Sequence, residues 1–275
     1  MAAISKDAPI GVFDSGVGGL TVAREIINQI PNERIVYFGD TARVPYGSKS
    51  KDTIIRFSRQ IIRFLQTEGV KAIVIACNTA SAFAIDVVSK EFDMPIIGVV
   101  KPGARVAAAT TKNNRIGIIG TEGTINSGIY TEFITNLRPE VKVIGKACPL
   151  FVPLVEEGMT DDIITRQVIE RYLSSFKQEN IDSLILGCTH YPLLRKSIGE
   201  FMGPEVNLVN PAYETALELK RVLERENLAN KKDKDSPSEM YRFYVSDAAE
   251  KFKKLANSIL PFDVETTKEI EIEKY

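Results

Sequence analysis

The fold is decided by two stretches, Lys71-Ala-Ile-Val-Ile-Ala-Cys77-Asn-Thr-Ala-Ser-Ala and Ser183-Leu-Ile-Leu-Gly-Cys188-Thr-His-Tyr-Pro-Leu-Leu. In both, a short apolar run ends in a small residue, a cysteine and a polar pair, and a helix-like pattern follows. A short apolar run bounded in this way is typical of a buried strand in a parallel sheet. The two stretches therefore predict two β-α units of the same kind in different halves of the chain.

Strand-like and helix-like segments alternate along the whole chain. Residues 10–14 form an apolar run before a glycine-rich turn and a helical pattern, and residues 115–120 begin a second copy of this unit. The separation between these two copies is nearly the same as that between the two cysteines. Alternating strands and helices predict an α/β fold of two similar lobes, each a mostly parallel sheet flanked by helices.

The order of the units also predicts how the chain divides. We expect residues 1–97 and 210–275 to form the first lobe, which is discontinuous, and residues 98–209 to form the second. The segment 149–158 is expected to be irregular because two prolines interrupt it.

Polar and sulfur-bearing residues follow the predicted strands on the side where a ligand would bind. In open α/β sheets, ligands bind beyond the carboxyl ends of the strands. Five residues fall at such ends: Asp14, Asp40, Cys77, Thr121 and Cys188. If the two lobes face each other, these residues converge, so the active site is expected in the cleft between the lobes.

The composition excludes several kinds of partner. The net charge is -1, so no basic field predicts nucleic-acid binding. Charged residues interrupt every apolar run well before the roughly 20 residues that span a bilayer, so no membrane partner is expected. Three cysteines are not a disulfide framework and indicate a reducing, cytoplasmic compartment. One histidine and no Cys-x-x-Cys motif offer too few ligands for a metal.

Two thiols in matching places suit a reaction at one carbon atom that is approached from both faces. Racemising a carbon beside a carboxylate needs a base on one face and an acid on the other, and a thiol can be either. Asp14 is the candidate helper for Cys77, and His190 for Cys188, because helpers must hold or accept protons. Seven further residues carry oxygen or amide groups that could hold the carboxylates of an amino acid: Ser15, Tyr46, Asn78, Thr79, Thr121, Thr124 and Thr189.

The same residues allow plainer interpretations. A buried cysteine is most often a small inert hydrophobic residue, and Cys148 is interpreted in this way because it lacks the following polar pair. His190 alone could be a satisfied core histidine, and Asp14 could simply cap a helix. A hydrolase with one thiol and one histidine needs only Cys188 and leaves Cys77 unexplained.

Four motifs together resemble the glutamate racemases of the aspartate/glutamate racemase superfamily: Phe13-Asp-Ser-Gly-Val-Gly-Gly-Leu-Thr-Val22, Pro45-Tyr-Gly47, Ala76-Cys-Asn-Thr-Ala-Ser-Ala82 and Gly187-Cys-Thr-His-Tyr-Pro-Leu-Leu194. The resemblance implies an enzyme that interconverts L- and D-glutamate by a two-base mechanism with two cysteine thiols, for peptidoglycan synthesis. It also implies that no cofactor is needed and that the chain forms a homodimer.

The resemblance assigns roles residue by residue. Cys77 is similar to the thiol that acts on D-glutamate, and Cys188 to the thiol that acts on L-glutamate, with Asp14 and His190 as their helpers. The substrate-binding pairs that the resemblance implies are Asp14-Ser15, Tyr46-Gly47, Asn78-Thr79 and Thr189-His190, with Thr121 and Thr124 as lesser contacts. Asp40 and Glu156 match supporting acidic positions, and Asn210 stands where the family more often has Asp.

Two other functions fit the same pattern. An aspartate racemase would differ in the length of its side-chain pocket. A non-catalytic amino-acid-binding protein of the same fold would leave both thiols incidental, which the presence of Cys77, Cys188, Asp14 and His190 together argues against.

Overall fold

The computed structural model describes residues 5–231 and 236–275, which form two β-sheets with parallel strand pairing. Within these residues the first sheet has six strands: β1 (Ile10–Asp14), β2 (Ile35–Gly39), β3 (Ala72–Ile75), β4 (Ile96–Gly98), β9 (Tyr241–Val245) and β10 (Thr267–Glu269). The second sheet has four strands: β5 (Arg115–Gly120), β6 (Lys142–Ala147), β7 (Ser183–Gly187) and β8 (Asn207–Val209).

Four strands of the first sheet have the same order as the four strands of the second, which confirms the predicted pair of similar α/β lobes. The first sheet runs β10-β9-β2-β1-β3-β4 and the second runs β6-β5-β7-β8. The order β2-β1-β3-β4 is therefore repeated as β6-β5-β7-β8. Cys77 follows β3 and Cys188 follows β7, so the two cysteines leave equivalent strands of the two lobes.

Helices connect the strands and cover the sheet faces. The α-helices of the described residues are α1 (Leu20–Gln29), α2 (Lys51–Thr67), α3 (Asn78–Glu91), α4 (Val100–Thr110), α5 (Glu122–Asn126), α6 (Ile129–Leu137), α7 (Phe151–Glu156), α8 (Ile163–Gln178), α9 (Arg195–Met202), α10 (Pro211–Arg225), α11 (Pro237–Met240) and α12 (Ala249–Ile259). Short 3-10 turns occupy Thr41–Arg43, Tyr46–Ser48, Tyr191–Leu194 and Ile272–Lys274. No helix in the described ranges combines the length and the apolarity needed to cross a membrane.

The central strands are apolar along their whole length because helices cover both faces of each sheet. All residues of β1, β3 and β7 are buried. In β1, Val12 faces the core that contains Tyr37, whereas Phe13 faces the opposite core with Phe38. Burying a side chain of this size contributes about 1.5–3 kcal/mol to stability. These rigid strands hold the residues at their carboxyl ends.

The predicted irregular segment at 149–158 is partly wrong, because it contains the helix α7. Pro153 is the third residue of this helix, after the cap at Leu150. The first turn of a helix has no intrahelical partners for its N–H groups, so a proline there costs no hydrogen bond. The helix matters because Glu156, its last residue, faces the cavity described below.

Asn210 caps the helix that returns the chain to the first lobe. Its side-chain oxygen accepts a hydrogen bond from the Ala212 N–H at 3.1 Å. Asn and Asp are comparable helix N-caps, so Asn keeps the function that an Asp would have there. Leu219 of α10 packs in the same apolar cluster as β1 and β2. The lobe boundaries at 97/98 and 209/210 stay a prediction.

Candidate active site

A cavity of about 400 Å³ opens at the carboxyl ends of the strands and is lined by both lobes. The predicted site residues that line it are Ser15, Tyr46, Gly47, Cys77, Asn78 and Thr79 of the first lobe and Thr121, Glu156, Cys188, Thr189 and His190 of the second. Asp14, Asp40 and Thr124 are not among the described residues that line it, but each contacts a residue that does. The structure thus brings all the predicted side chains to one place.

Cys77 is the N-cap residue of α3 and is separated from the end of β3 by Ala76. Its thiol lies 3.8 Å from the Ser15 hydroxyl, and only 5% of the residue is exposed. Burial raises the pKa of Cys77 to about 12, and the negative charge of Asp14 acts in the same direction. Cys77 therefore holds its proton at neutral pH.

Cys188 has a histidine as its partner. The His190 Nδ1 lies 3.8 Å from the Cys188 sulfur, and Nε2 lies 3.2 Å from the Glu156 carboxylate. Burial acts to lower the pKa of His190, but the hydrogen bonds to Cys188 and Glu156 outweigh it and raise the pKa to about 10. The same contact lowers the pKa of Glu156. A positively charged imidazolium therefore lies beside the Cys188 sulfur at neutral pH.

The settings of the two cysteines differ in backbone as well. Cys77 begins a long α-helix, whereas Cys188 is followed by the 3-10 turn Tyr191–Leu194 before α9 begins. The N-terminus of α3 supplies oriented backbone N–H groups beside Cys77. Beside Cys188, the charge comes from His190 instead. The lobes are equivalent in strand order but not in proton chemistry.

Asp14 connects the two lobes through hydrogen bonds made close to the cavity. One carboxylate oxygen accepts hydrogen bonds from the N–H groups of Gly16 and Gly19 at 3.1 and 3.0 Å. The other accepts from the Thr189 hydroxyl at 3.4 Å. Complete burial raises the pKa of Asp14, although His190 and these donors oppose the change. Asp14 influences Cys77 through its charge and is turned toward the glycine turn, so its part as a helper stays a prediction.

The glycine turn, residues 15–19, comes so close to the second lobe at Gly18 that no side chain fits there. A Cβ atom on Gly18 would lie 2.4 Å from the Thr189 hydroxyl oxygen and 2.5 Å from the His190 Nδ1. Thr21, at the start of α1, donates a hydrogen bond to the Thr189 carbonyl at 3.0 Å. The contact of Gly18 and the hydrogen bond of Thr21 therefore help to position Thr189 and His190.

Gly18→Ala should lower kcat/KM about 10²-fold, because displacing His190 by about 1 Å misaligns the proton-transfer groups. The change is checked by steady-state kinetics beside Gly199→Ala, a matched control in α9. A Cβ on Gly199 would make only an ordinary contact, 3.5 Å from Leu208. Equal activity of the two variants would show that the close approach of the turn has no effect on the site.

Three threonine hydroxyls from both lobes meet at one side of the cavity. Thr79 lies 2.9 Å from Thr121 and 3.3 Å from Thr124, and Thr121 lies 3.1 Å from Thr124. Thr121 also caps α5 by accepting from the Thr124 N–H. The close approach of Gly47 to Thr121 completes this contact between lobes. The hydroxyls of Thr79 and Thr121, which line the cavity, can turn their protons toward a ligand.

Asp40 supports the loop that carries Tyr46. Its carboxylate accepts hydrogen bonds from the hydroxyls of Tyr46 and Ser246 and from Arg43, whose Nε lies at 2.7 Å. Burial raises the pKa of Asp40, and Arg43 opposes this. The Arg43 guanidinium lies 3.9 Å above the Phe57 ring. Through this network Asp40 supports Tyr46 and Gly47, although Asp40 itself is not among the described residues that line the cavity.

The cavity has neither lysine nor arginine among its described lining residues. An anion there would meet neutral donors, namely hydroxyls, amides and the N–H groups at helix starts, and one cationic group, the His190 imidazolium. Within the described ranges, no cluster of three or more His, Cys, Asp or Glu side chains could hold a metal ion. The described lining residues thus offer hydroxyl and amide groups beside two thiols.

Several lining residues were not predicted. They are Val44, Pro45, Ser48, Glu122, Pro149, Val152 and Pro153. Pro45 belonged to a quoted motif, and Ser48 and Glu122 directly follow predicted site residues, so local neighbourhood could have found them. Val152 and Pro153 could have been found only by recognising α7 as a helix.

A family model for Asp/Glu/Hydantoin racemases matches residues 10–217. The chain belongs to this racemase family. A glutamate racemase of Geobacter metallireducens is 48% identical to the present racemase over 251 residues, which are 91% of this chain and 92% of that one. The family predicted from the four motifs is thereby confirmed, and so is the prediction that the chain is a racemase.

Solved glutamate racemases share the fold of this racemase. The structure from Bacillus anthracis has a TM-score of 0.92 at 38% identity and covers 97% of this chain and 98% of that chain. The structure from Francisella tularensis, in complex with D-glutamate, has a TM-score of 0.90 at 39% identity and covers 98% and 100%. The two-lobed α/β fold of the racemase is therefore that of its relatives.

Proposed function

We propose that this racemase interconverts L- and D-glutamate by moving a proton across Cα between Cys188 and Cys77. The observation that carries the proposal is that two thiols, leaving equivalent strands of two lobes, line one cavity and have different polar partners. A reaction with a single thiol, such as hydrolysis, would need no second cysteine. A binding protein would need neither thiol nor the imidazolium beside Cys188.

In the L to D direction, the Cys188 thiolate removes the α-proton and leaves a carbanion at Cα. The Cys77 thiol then donates its proton to the opposite face, which forms the inverted C–H bond and a Cys77 thiolate. The high pKa of Cys77 and the charge of His190 support this starting arrangement. The reverse direction uses the same groups with their proton states exchanged.

Neutral donors are proposed to hold the carboxylates of the substrate, and side-chain oxygens of the lining residues to accept hydrogen bonds from its ammonium group. Ser15, Asn78, Thr79 and Thr189 carry hydroxyl and amide groups around the cavity. The N–H groups at the start of α3 favour a negative charge beside Cys77. Tyr46 and Gly47 line the cavity, as does Thr121 on the far lobe. A dicarboxylate therefore meets donors from both lobes.

We propose glutamate rather than aspartate as the substrate because similar proteins are glutamate racemases. The Geobacter metallireducens protein is named a glutamate racemase, and the Francisella tularensis structure contains D-glutamate. The resemblance implies action without a cofactor, supply of D-glutamate for peptidoglycan synthesis and a homodimeric state, and these stay predictions. The cytoplasmic location and the absence of a metal, which were expected from the cysteine and histidine content, also stay predictions.

The test is to incubate the purified protein with L-glutamate or L-aspartate in D2O without added cofactor. We expect optical rotation to decay to zero with L-glutamate, and deuterium to appear at Cα in step with inversion. Boiled protein controls for spontaneous exchange. Inversion of aspartate alone would replace the substrate assignment, and exchange with neither amino acid would contradict the proposed reaction.

A further inference from the structure

Tyr130 carries a buried hydroxyl that the proposed mechanism does not use. It lies in α6 of the second lobe and is 2% exposed. Its hydroxyl donates a hydrogen bond at 2.7 Å to the side-chain oxygen of Asn78, the first residue of α3 in the first lobe. Asn78 lines the cavity, and Tyr130 is not among its described lining residues. Tyr130 therefore contacts a residue that lines the cavity, from the side that faces away from the cavity.

The Tyr130 ring also packs against Gly187, the residue before Cys188. A Cβ atom on Gly187 would lie 3.4 Å from a ring carbon of Tyr130. Burial raises the pKa of Tyr130, and Cys188 adds to this effect. The phenol therefore keeps its proton and needs an acceptor, which the Asn78 oxygen supplies.

This bond decides which end of the Asn78 amide can face a ligand. A side-chain amide has one acceptor oxygen and one NH2 group with two donors. Because Tyr130 occupies the oxygen, the NH2 group is the end that remains for the cavity. A carboxylate accepts hydrogen bonds from an NH2 group and is repelled by an amide oxygen. The orientation matters most in a site whose described lining has no lysine or arginine.

We infer that Tyr130 is a positioning residue that holds the Asn78 amide as a hydrogen-bond donor to a carboxylate of the substrate. The inference rests on the proposed function and deepens it, because it explains how one lobe prepares a donor on the other. Tyr130 touches no reacting atom and acts through Asn78. Its loss should weaken binding of the substrate and its transition state equally, which raises KM and leaves kcat almost unchanged.

The test is Tyr130→Phe, which removes the hydroxyl and keeps the ring packed against Gly187. We expect KM for glutamate to rise about tenfold in both directions, with kcat within about twofold. Tyr244→Phe is the matched control, because it removes a hydroxyl bonded to Glu68 at 3.0 Å in a buried tyrosine away from the cavity. The control should leave KM and kcat unchanged.

A double-mutant cycle separates positioning from a general structural effect. If Tyr130 acts through Asn78, then Asn78→Ala with Tyr130→Phe should raise KM no more than Asn78→Ala alone. The inference would be overturned if the two substitutions raise KM by factors that multiply in the double variant, or if Tyr130→Phe leaves KM unchanged. In either case, racemisation of glutamate by the wild type would leave the proposed function intact. If the wild type inverts aspartate instead, the same cycle is measured with aspartate; inactivity toward both overturns the proposed function and the inference with it.

Discussion

Replacing either Cys77 or Cys188 by serine should lower kcat for racemisation about 10³-fold. A hydroxyl is a far weaker acid than a thiol, so serine can neither hold a negative charge as the base nor release a proton as readily as the acid. Each variant keeps one working thiol, but inversion needs proton transfer on both faces. The decay of optical rotation measures the loss, starting from each enantiomer of glutamate in turn.

Cys148 provides the matched control for this experiment. It is buried in the apolar core of the second lobe, and within the described residues its thiol donates a hydrogen bond to the Lys146 carbonyl at 3.7 Å. Cys148→Ala should keep kcat within about twofold, since it removes a thiol that packs as a small hydrophobic residue. A Cys77 or Cys188 variant that racemises as fast as this control would exclude that sulfur from proton transfer.

The fold could be predicted because its central strands obey a strict physical pattern. A strand covered on both faces must be apolar throughout, so the runs before Cys77 and Cys188 identify β3 and β7 without any knowledge of their neighbours. The carboxyl-end rule then places both cysteines in one cleft. The helix α7 was missed because Pro153 suggests a break, although a proline in the first turn leaves the helix intact.

The inner contacts of the site could not be predicted in the same way. The Tyr130–Asn78 bond joins residues 52 positions apart, and the Thr189–Asp14 bond joins residues 175 positions apart. Local periodicity carries no information on such pairs, since they depend on how the two lobes meet. Tyr130 in particular looks like an ordinary apolar residue of α6. Asp14 was predicted near Cys77, but its hydrogen bonds go to the glycine turn and to Thr189.

The unequal partners of the two thiols do not make the two directions unequal in kcat/KM. The enantiomers have the same free energy, so kcat/KM must be equal in both directions at every pH, in the wild type and in any variant. The asymmetry between Cys77 and Cys188 can appear only in the separate values of kcat and KM. Proton-state differences between the two thiols must therefore be sought with variants and pH profiles rather than with a comparison of directions.

His190→Asn should lower kcat/KM about 10²-fold, equally in both directions. Asparagine removes the positive charge beside Cys188 and the hydrogen bond to Glu156. The wild type should lose kcat/KM as the pH rises through about 10, because His190 loses its proton there. The variant should lack that loss. The ammonium group of the substrate titrates identically for both proteins, so the difference between their pH profiles belongs to His190.

Glu156→Gln tests the origin of the shifted His190 pKa. Glutamine can still bond to the His190 Nε2 but carries no charge, so the pKa of His190 should fall and the alkaline loss of kcat/KM should begin at lower pH than in the wild type. Activity near pH 7 should change less than in His190→Asn, because the imidazole remains beside Cys188. Profiles of wild type and Glu156→Gln that coincide would show that the carboxylate does not hold the proton on His190. The proton would then be held by the contact between the His190 Nδ1 and the Cys188 sulfur.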